Sequence, residues 1–342
     1  MRPRSADVAS VRPRRLPLEK YVDGILSGDA VVLARAITVI ESDLAADSDL
    51  AAHLLDAILP YTGKSKRIGI TGVPGVGKST FIDTLGMYLV HDRGESVAVL
   101  SVDPSSPISG GSILGDKTRM ERLAVEKRAF IRPSPSRGHM GGVARHTRET
   151  ILLCEAAGYQ DILVETVGVG QSETAVRSMT DFFLLLMLAG AGDELQGMKR
   201  GIIEMIDGMA INKADGDNKA KADRARVEYS SALHLFPASR DGWSPRVLTC
   251  SALSGEGIAE IWQMILEHRE HFEKSGHLAA RRSRQALEWM KELVALGLEA
   301  SFRSNRAIAR RLPELQEAVS GGRVTPFAAS RELLALFHSK EN

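Results

Sequence analysis

"RIGITGVPGVGKST", residues 67–80, decides the fold of this chain. It starts as a short β-rich run, and from Gly72 it matches G-x-x-x-x-G-K-[ST] and leads into the helical pattern "STFIDTLGMYLVHD". Glycines at these positions let the backbone turn tightly, so that its amide hydrogens point inward around phosphate oxygens. The N-terminus of the following helix adds positive potential. The stretch therefore predicts a phosphate-binding loop, or P-loop, in an α/β nucleotide-binding fold.

The residues of the predicted P-loop have roles that follow from their chemistry. Lys78 supplies a point charge for the β- and γ-phosphates, and Ser79 offers its hydroxyl to Mg²⁺. The nucleotide-contacting residues of the loop are Gly72, Val73, Pro74, Gly75, Val76, Gly77, Lys78, Ser79 and Thr80. The alternative is a glycine-rich turn without a ligand, and the placement of the match between a strand and a helix disfavours it.

Around the P-loop, short β-rich runs alternate with helical stretches. The runs are almost continuously apolar, as expected of parallel strands that are buried on both faces. They span residues 67–72, 96–103, 129–134, 161–166, 181–188, 208–213 and 246–252. Alternation of strand and helix predicts a mostly parallel, doubly wound α/β sheet of the P-loop NTPase type, with right-handed crossovers.

Helical patterns flank this alternating region on both sides, with apolar residues at three- and four-residue spacing. We therefore expect four parts: a flexible basic tail (1–20), N-terminal helices (21–62), a GTPase domain (63–270) and a C-terminal helical region (271–342). In the last part, a long helix is expected to break before Pro313. Thr325 and Pro326 are expected to cap and begin a final helix.

The composition excludes several classes of function. The chain has 342 residues, 25% of them charged, and a formal net charge of +1. This balance gives no overall field that would attract nucleic acid or a membrane surface. The longest apolar stretch, residues 182–192, is too short to span a bilayer. Cys154 and Cys250 lie in apolar contexts and no CxxC occurs, so both are expected to be buried thiols in a cytoplasmic protein.

The first 20 residues carry six Arg or Lys and two acidic residues. An arginine-rich, acid-poor start is typical of an organelle transit peptide, and it lacks the apolar core of a secretory signal. We favour a disordered tail, with a transit peptide as the alternative.

A predicted base site follows about 135 residues after the P-loop, where "NKAD" (212–215) ends an apolar run. Open α/β sheets bind ligands at the carboxyl ends of their strands. Asp215 can accept hydrogen bonds from the N1–H and the exocyclic amine of guanine, and adenine would leave this carboxylate unsatisfied. Other residues shape the pocket or meet the guanine oxygen through their backbone. They are Asn212 and Lys213 for the pocket and Ser251, Ala252 and Leu253 for the backbone contact. A helix-capping turn is the alternative for this short pattern.

The stretch "ETVGVGQSE", residues 165–173, lies where a γ-phosphate sensor is expected, with ExxG in place of the usual DxxG. Glu165 is expected to reach Mg²⁺ through a water or from a shifted strand, and Gly168 to offer its N–H to the γ-phosphate. Many G-proteins carry a water-orienting Gln directly after this glycine, but here that position is Val169, and we do not assign the role to Gln171. We therefore expect slow intrinsic GTP hydrolysis, on the order of 10⁻⁴ to 10⁻² s⁻¹, and activation by a partner.

Taken together, these motifs resemble those of the methylmalonyl-CoA mutase-associated GTPases (MeaB type, also called ArgK), which are P-loop GTPases with Glu in the third motif. The resemblance covers residues 20–340, approximately. It is carried by "GVPGVGKST" (72–80), "VDPSSPISGGSILGDKTRM" (102–120), "RPSPSRGHMGGVARHT" (132–147), "ETVGVGQSE" (165–173), "GDELQGMKRG" (192–201) and "NKAD" (212–215).

The resemblance implies a GTP-hydrolysing chaperone that binds GTP, GDP and Mg²⁺. Its implied partner is an adenosylcobalamin-dependent methylmalonyl-CoA mutase, for which it gates cofactor loading and which it protects from inactivation. It also implies a homodimer held by the C-terminal helices. The implied metal-side residues are Ser79, Asp103, Asp116 and Glu165, and the implied catalytic and switch residues are Lys78, Asp116, Glu165 and Lys199. The glycines of residues 190–201 agree with a mobile gate around Lys199.

Two rival functions differ from the one that this resemblance implies. A metal-insertion GTPase of the same wider group would need a His-rich tail or a Cys cluster, and no His precedes His53. A P-loop kinase would need an acceptor-binding domain, which we do not find, and "NKAD" favours guanine. The role of residues 132–147 stays open between a mobile surface near the nucleotide and structural packing, and metal ligation by His139 and His146 is the less favoured interpretation.

Overall fold

The structure is a computed structural model that describes residues 15–42, 44–102, 119–133, 140–166, 172–190, 201–234 and 242–339. The chain divides into two compact units, Met1–Ala279 and Ala280–Asn342. Among the helices of the described ranges, none combines the length and the apolar character needed to cross a membrane.

The first unit is built on a seven-stranded, all-parallel sheet in the order β3-β2-β4-β1-β5-β6-β7. Its strands are β1 Lys66–Gly72, β2 Val97–Val102, β3 Ala129–Arg132, β4 Asp161–Thr166, β5 Phe182–Leu188, β6 Gly208–Asn212 and β7 Arg246–Thr249. Each corresponds to one of the predicted β-rich runs. The predicted doubly wound α/β fold is therefore confirmed.

The α-helices of the described residues are α1 Leu18–Leu26, α2 Ala30–Ile40, α3 Ala45–Ile58, α4 Lys78–His91, α5 Met140–Ala156, α6 Ser172–Arg177, α7 Lys219–Leu233, α8 Ile258–Lys274, α9 His277–Ser304, α10 Arg306–Ser320 and α11 Pro326–His338. The boundary between the two units falls inside α9, after Ala279.

The strands are buried because their sequences are apolar on both faces. All six residues of β2 and of β4 are buried, and Phe182 and Phe183 of β5 are 2% and 0% exposed. Burying one large apolar side chain stabilises a fold by about 1.5–3 kcal/mol. Because all strands run in one direction, their carboxyl ends share one edge of the sheet, and the residues that follow them are brought together there.

The N-terminal helices belong to the same core. Tyr21, Leu33 and Leu54, one from each of α1, α2 and α3, are buried in the cluster that also contains the sheet residues. Asp29 caps α2 by accepting hydrogen bonds from the Val31 and Val32 N–H groups at 2.8 and 3.1 Å. Helices α2 and α3 pack on α5, so these helices extend the core of the first unit.

Both cysteines are buried thiols, as expected from the sequence. Cys154 lies on α5, and Cys250 follows β7. Burial raises the pKa of both thiols, to about 12 for Cys250.

In the second unit, the expected helix break before Pro313 is wrong. Helix α9 ends at Ser304, and Asn305 begins α10 because its side-chain oxygen accepts hydrogen bonds from the Ala307 and Ile308 N–H groups at 2.9 and 3.2 Å. Pro313 lies inside α10. An asparagine cap satisfies backbone donors and sets the boundary, whereas a proline inside a helix removes one hydrogen bond without necessarily ending it.

The start of the last helix is confirmed. Thr325 accepts a hydrogen bond from the Ala328 N–H at 3.2 Å, and Pro326 is the first residue of α11. The rings of Phe302 on α9 and Phe337 on α11 lie 5.4 Å apart.

Candidate nucleotide-binding site

The loop between β1 and α4 has the backbone of a phosphate-binding loop. Gly77, the residue before α4, has φ of 91°, which is left-handed and favours glycine. A Cβ atom on Gly72 would lie 2.4 Å from the Leu186 carbonyl oxygen of β5. The loop therefore needs glycine at both ends, and it leaves the N-terminus of α4 facing the space where phosphates would bind.

Lys78 is held by the loop itself. Its Nζ donates hydrogen bonds to the carbonyl oxygens of Gly72 at 2.9 Å and Val73 at 3.4 Å. Burial lowers the pKa of Lys78, while the neighbouring carboxylates of Glu165 and Glu173 favour its charged form. The ammonium group therefore has acceptors that an incoming phosphate would replace.

Ser79 and Glu165, two of the predicted metal-side residues, contact each other. The Ser79 hydroxyl donates to Glu165 Oε1 at 3.0 Å, which joins the first turn of α4 to the end of β4. Glu165 is 3% exposed. A hydroxyl and a carboxylate are hard oxygen donors of the kind that Mg²⁺ binds, so these two residues fit the predicted metal. In the described ranges, no group of three or more His, Cys, Asp or Glu side chains is arranged to hold a metal ion.

Glu173 is a residue of this site that the sequence interpretation missed. It lies in the first turn of α6 and is 2% exposed, and its charge, with that of Glu165, opposes the lowering of the Lys78 pKa by burial. A buried carboxylate beside the P-loop lysine adds negative charge to the phosphate side. The sequence contained one signal for this residue, since Glu173 is the last residue of the segment 165–173.

Asn212 joins the base side of the site to the P-loop. Its Nδ2 donates to the Val76 carbonyl oxygen at 2.8 Å, and its Oδ1 accepts from the Ala252 N–H at 3.0 Å. Asn212 is 1% exposed, so neither group could turn to water. This one side chain links the P-loop, the "NKAD" segment and the segment 251–253.

Lys213 and Asp215 complete the predicted base site. Lys213 has φ of 60°, the one positive value at a non-glycine residue of the described chain, and its Nζ donates to the Gly75 carbonyl oxygen at 2.9 Å. Such a conformation costs on the order of 1 kcal/mol and is typically found at functional sites. The Ser251 hydroxyl donates to Asp215 Oδ2, and Leu253 is 82% exposed.

The remaining predicted residues are placed as follows. Asp103, Asp116, Gly168 and Lys199 lie outside the described residues. In the segment 132–147, Arg132 pairs with Glu41 after α2, and His146 Nδ1 lies 3.2 Å from Glu149 Oε2; residues 134–139 are not among those described. The two interpretations of that segment therefore both stay open.

The chain was compared with known proteins. The family model of the methylmalonyl Co-A mutase-associated GTPase MeaB matches residues 33–307. A putative GTPase of Caulobacter vibrioides is 52% identical over 322 residues, which are 94% of this chain and 98% of that protein. GTPase ArgK of Escherichia coli is 46% identical and is aligned over 92% of this chain and 95% of its own length.

Among solved structures, one described as a LAO/AO transport system kinase is 39% identical with a TM-score of 0.74. The match covers 94% of this chain and 98% of that chain. The family match and the two relatives agree with the site geometry, in which Asn212 joins the P-loop to the predicted base site. This chain therefore belongs to the methylmalonyl Co-A mutase-associated GTPase MeaB family, and it binds guanine nucleotide and hydrolyses GTP.

Proposed function

We propose that this GTPase is a chaperone of an adenosylcobalamin-dependent methylmalonyl-CoA mutase. In this role it gates the loading of the cofactor onto the mutase and protects the mutase from inactivation. Its own GTP hydrolysis is slow, and the partner accelerates it. The family description, which names association with the mutase, supports the choice of partner.

The observation that carries the nucleotide part is the pair of hydrogen bonds made by Asn212. They hold the P-loop at Val76 and the base-side segment at Ala252 from a single buried amide. A nucleotide that reached Lys78 with its phosphates would thus find Asp215 and the 251–253 backbone at a fixed position for its base. Because these groups are already held in place, little conformational entropy would be lost when the nucleotide binds.

Each residue has a role in the proposal. Lys78 exchanges the loop carbonyls for the β- and γ-phosphates, and Asp215 accepts the N1–H and amine of guanine. Ser79 and Glu165 would hold Mg²⁺, which when bound neutralises phosphate charge. Four residues enter from the sequence and the family resemblance. They are Asp103 and Asp116 on the metal side, Gly168 as γ-phosphate sensor and Lys199 in the partner-responsive loop.

The proposed assembly is a homodimer through the second unit. Leu287, Met290, Val294 and Leu298 are each more than half exposed, at 56%, 54%, 56% and 59%. Their spacing of three and four residues puts them on one face of α9, and a row of large exposed apolar side chains marks an interaction site. Met290→Glu should therefore give a monomer by light scattering, whereas an unchanged mass would contradict this interface.

The test of the function is GTP turnover by the purified protein, alone and with an adenosylcobalamin-dependent methylmalonyl-CoA mutase from the same source. We expect the mutase to raise the rate at least tenfold, which is about 1.4 kcal/mol of barrier. Lys78→Ala is the matched control. It should fold, fail to bind GTP and show no turnover with or without the mutase.

Other outcomes would redirect the proposal. No rate increase and no complex would leave a GTPase without this partner, and metal bound to the purified protein would then favour metal insertion. A preference for ATP over GTP would favour a kinase and remove the assigned role of Asp215. A site that hydrogen-bonds guanine should reject adenine by at least about 100-fold.

We place the protein in the cytoplasm.

A further inference from the structure

A buried hydroxyl on α4 holds the base-side segment 251–253. The Thr84 hydroxyl lies 2.6 Å from the carbonyl oxygen of Ala252, across a sequence separation of 168 residues. Thr84 and Ala252 are 9% and 4% exposed. Thr84 lies outside every motif of the nucleotide site, yet it touches the backbone that is proposed to meet the guanine oxygen.

The Thr84 hydroxyl must donate to this carbonyl, which can only accept, and Arg122 holds the hydroxyl oxygen in place. Arg122 Nη2 lies 2.7 Å from Thr84 Oγ1. Because a guanidinium group can only donate, the hydroxyl oxygen accepts from Arg122, and its one proton is left for the Ala252 carbonyl. Asp83 holds the guanidinium in place through Nε at 2.7 Å, and its other oxygen accepts from the Leu123 N–H at 2.9 Å.

The peptide bond between Ala252 and Leu253 is thereby oriented. The Ala252 N–H is used by Asn212, and the Ala252 carbonyl by Thr84. In a trans peptide the carbonyl and the next N–H point in opposite directions. The Leu253 N–H consequently points away from Thr84, and within the described residues it has no hydrogen-bond acceptor.

We propose that Thr84 is a positioning residue for guanine recognition. Its hydroxyl, oriented by Arg122, turns the Ala252–Leu253 peptide so that the Leu253 N–H donates to the oxygen at C6 of guanine. This inference rests on the proposed nucleotide site and adds to it the residue that aims its oxygen contact. Thr84 itself touches neither base nor phosphate.

The test measures the affinity of purified protein for three nucleotides. They are GDP, inosine diphosphate, which lacks the exocyclic amine, and 6-thioguanosine diphosphate, whose sulfur is a weaker acceptor. Thr84→Val removes the hydroxyl and keeps the shape. It should weaken GDP and inosine diphosphate binding equally, by about 5- to 10-fold, the effect of one neutral hydrogen bond. Binding of 6-thioguanosine diphosphate should change less than about twofold.

Two variants guard against a mere folding defect. Thr84→Ser keeps the hydroxyl and should restore GDP binding to within about twofold of the original protein. Thr180→Val makes the same change at a fully buried threonine whose hydroxyl donates to the Val176 carbonyl at 2.9 Å. Thr180 precedes the amino end of β5, whereas the proposed nucleotide site lies at the carboxyl ends of the strands. Loss of the Thr180 hydroxyl should therefore leave the nucleotide preferences unchanged.

Arg122 is tested by a double-mutant cycle. Its side chain is 54% exposed, so Arg122→Ala should fold, and it should weaken GDP binding about twofold to threefold. In the Thr84→Val background the same change should have no further effect, because Arg122 acts through the hydroxyl. Additive losses would overturn the orienting role of Arg122.

The possible outcomes distinguish a failure of the Thr84 inference from a failure of the proposed nucleotide site. Asp215→Asn should reduce the preference for GDP over inosine diphosphate. If it does, and Thr84→Val binds GDP within twofold of the original protein, Thr84 has no positioning role and the nucleotide site stands. Equal loss of all three ligands in Thr84→Val also overturns the inference, since the oxygen contact would not be singled out. If neither variant changes any preference, the site assignment fails as well.

Discussion

Asn212→Ala is the change that best tests whether the P-loop and the base pocket form one unit. It removes the donor to the Val76 carbonyl and the acceptor of the Ala252 N–H at the same time. Because Asn212 is 1% exposed, water would not easily replace either bond, and each buried group left without a partner costs about 1–3 kcal/mol. We expect about 2–3 kcal/mol to be lost from nucleotide binding, or about 30- to 150-fold in the Kd of GDP.

The assay is isothermal titration of GDP into Asn212→Ala, together with its thermal unfolding without ligand. Asn218→Ala is the control, because Asn218 is a partly exposed amide close by that donates to the Lys213 carbonyl at 2.7 Å. That variant should bind GDP within about threefold of the original protein. If folded Asn212→Ala also binds GDP within about threefold of the original protein, the claim that one amide couples the P-loop to the base-side segment is refuted.

Two further predictions concern carboxylates near the two ends of strand β4, Glu165 near its carboxyl end and Asp161 at its amino end. Glu165→Gln keeps the length of the side chain and removes its charge. The gain in GTP affinity on adding Mg²⁺ should therefore fall at least tenfold, while GDP affinity without Mg²⁺ stays within threefold of that of the original protein. An unchanged Mg²⁺ titration would remove Glu165 from the metal side. Burial and the neighbouring Glu95 carboxylate raise the pKa of Asp161 to about 8, and Lys66 opposes this shift. A carboxyl whose pKa is raised in the native state binds more protons there than in the unfolded chain between about pH 4 and pH 8. Stability should therefore fall as pH rises through that window, and Asp161→Asn should flatten the fall in Tm. An equally steep fall in the variant would contradict the raised pKa of Asp161.

The strands and the P-loop could be predicted because their signals are local. β1 to β7 are short apolar runs, and the P-loop is a contiguous pattern in which spacing and residue type both have direct physical meaning. The helix boundary near Pro313 was missed for a local reason too. Asn305 provides a cap with two backbone hydrogen bonds, and this preference outweighed the breaking tendency of a proline eight residues later.

The residues that support the site could not be found this way. Thr84 contacts Ala252 across 168 residues, and Arg122 reaches it from a turn after α4 and β2. Nothing in the local sequence marks either as part of the base pocket, because their partners are defined only once the sheet order is known. Glu173 is an intermediate case, since it lies inside a recognised motif but its electrostatic effect on Lys78 depends on where α6 packs.

The hydrogen-bond arrangement also limits where a GTP switch can originate. Asn212 and Thr84 tie the base-side segment to the P-loop and to α4, and GTP and GDP present the same base to it. Contacts of equal strength in both states cannot shift a conformational equilibrium, however tightly they bind. The proposed base pocket would therefore supply selectivity and affinity that GTP and GDP share. The difference between them must act where the γ-phosphate binds, and we propose that this is the side of Lys78, Ser79 and Glu165.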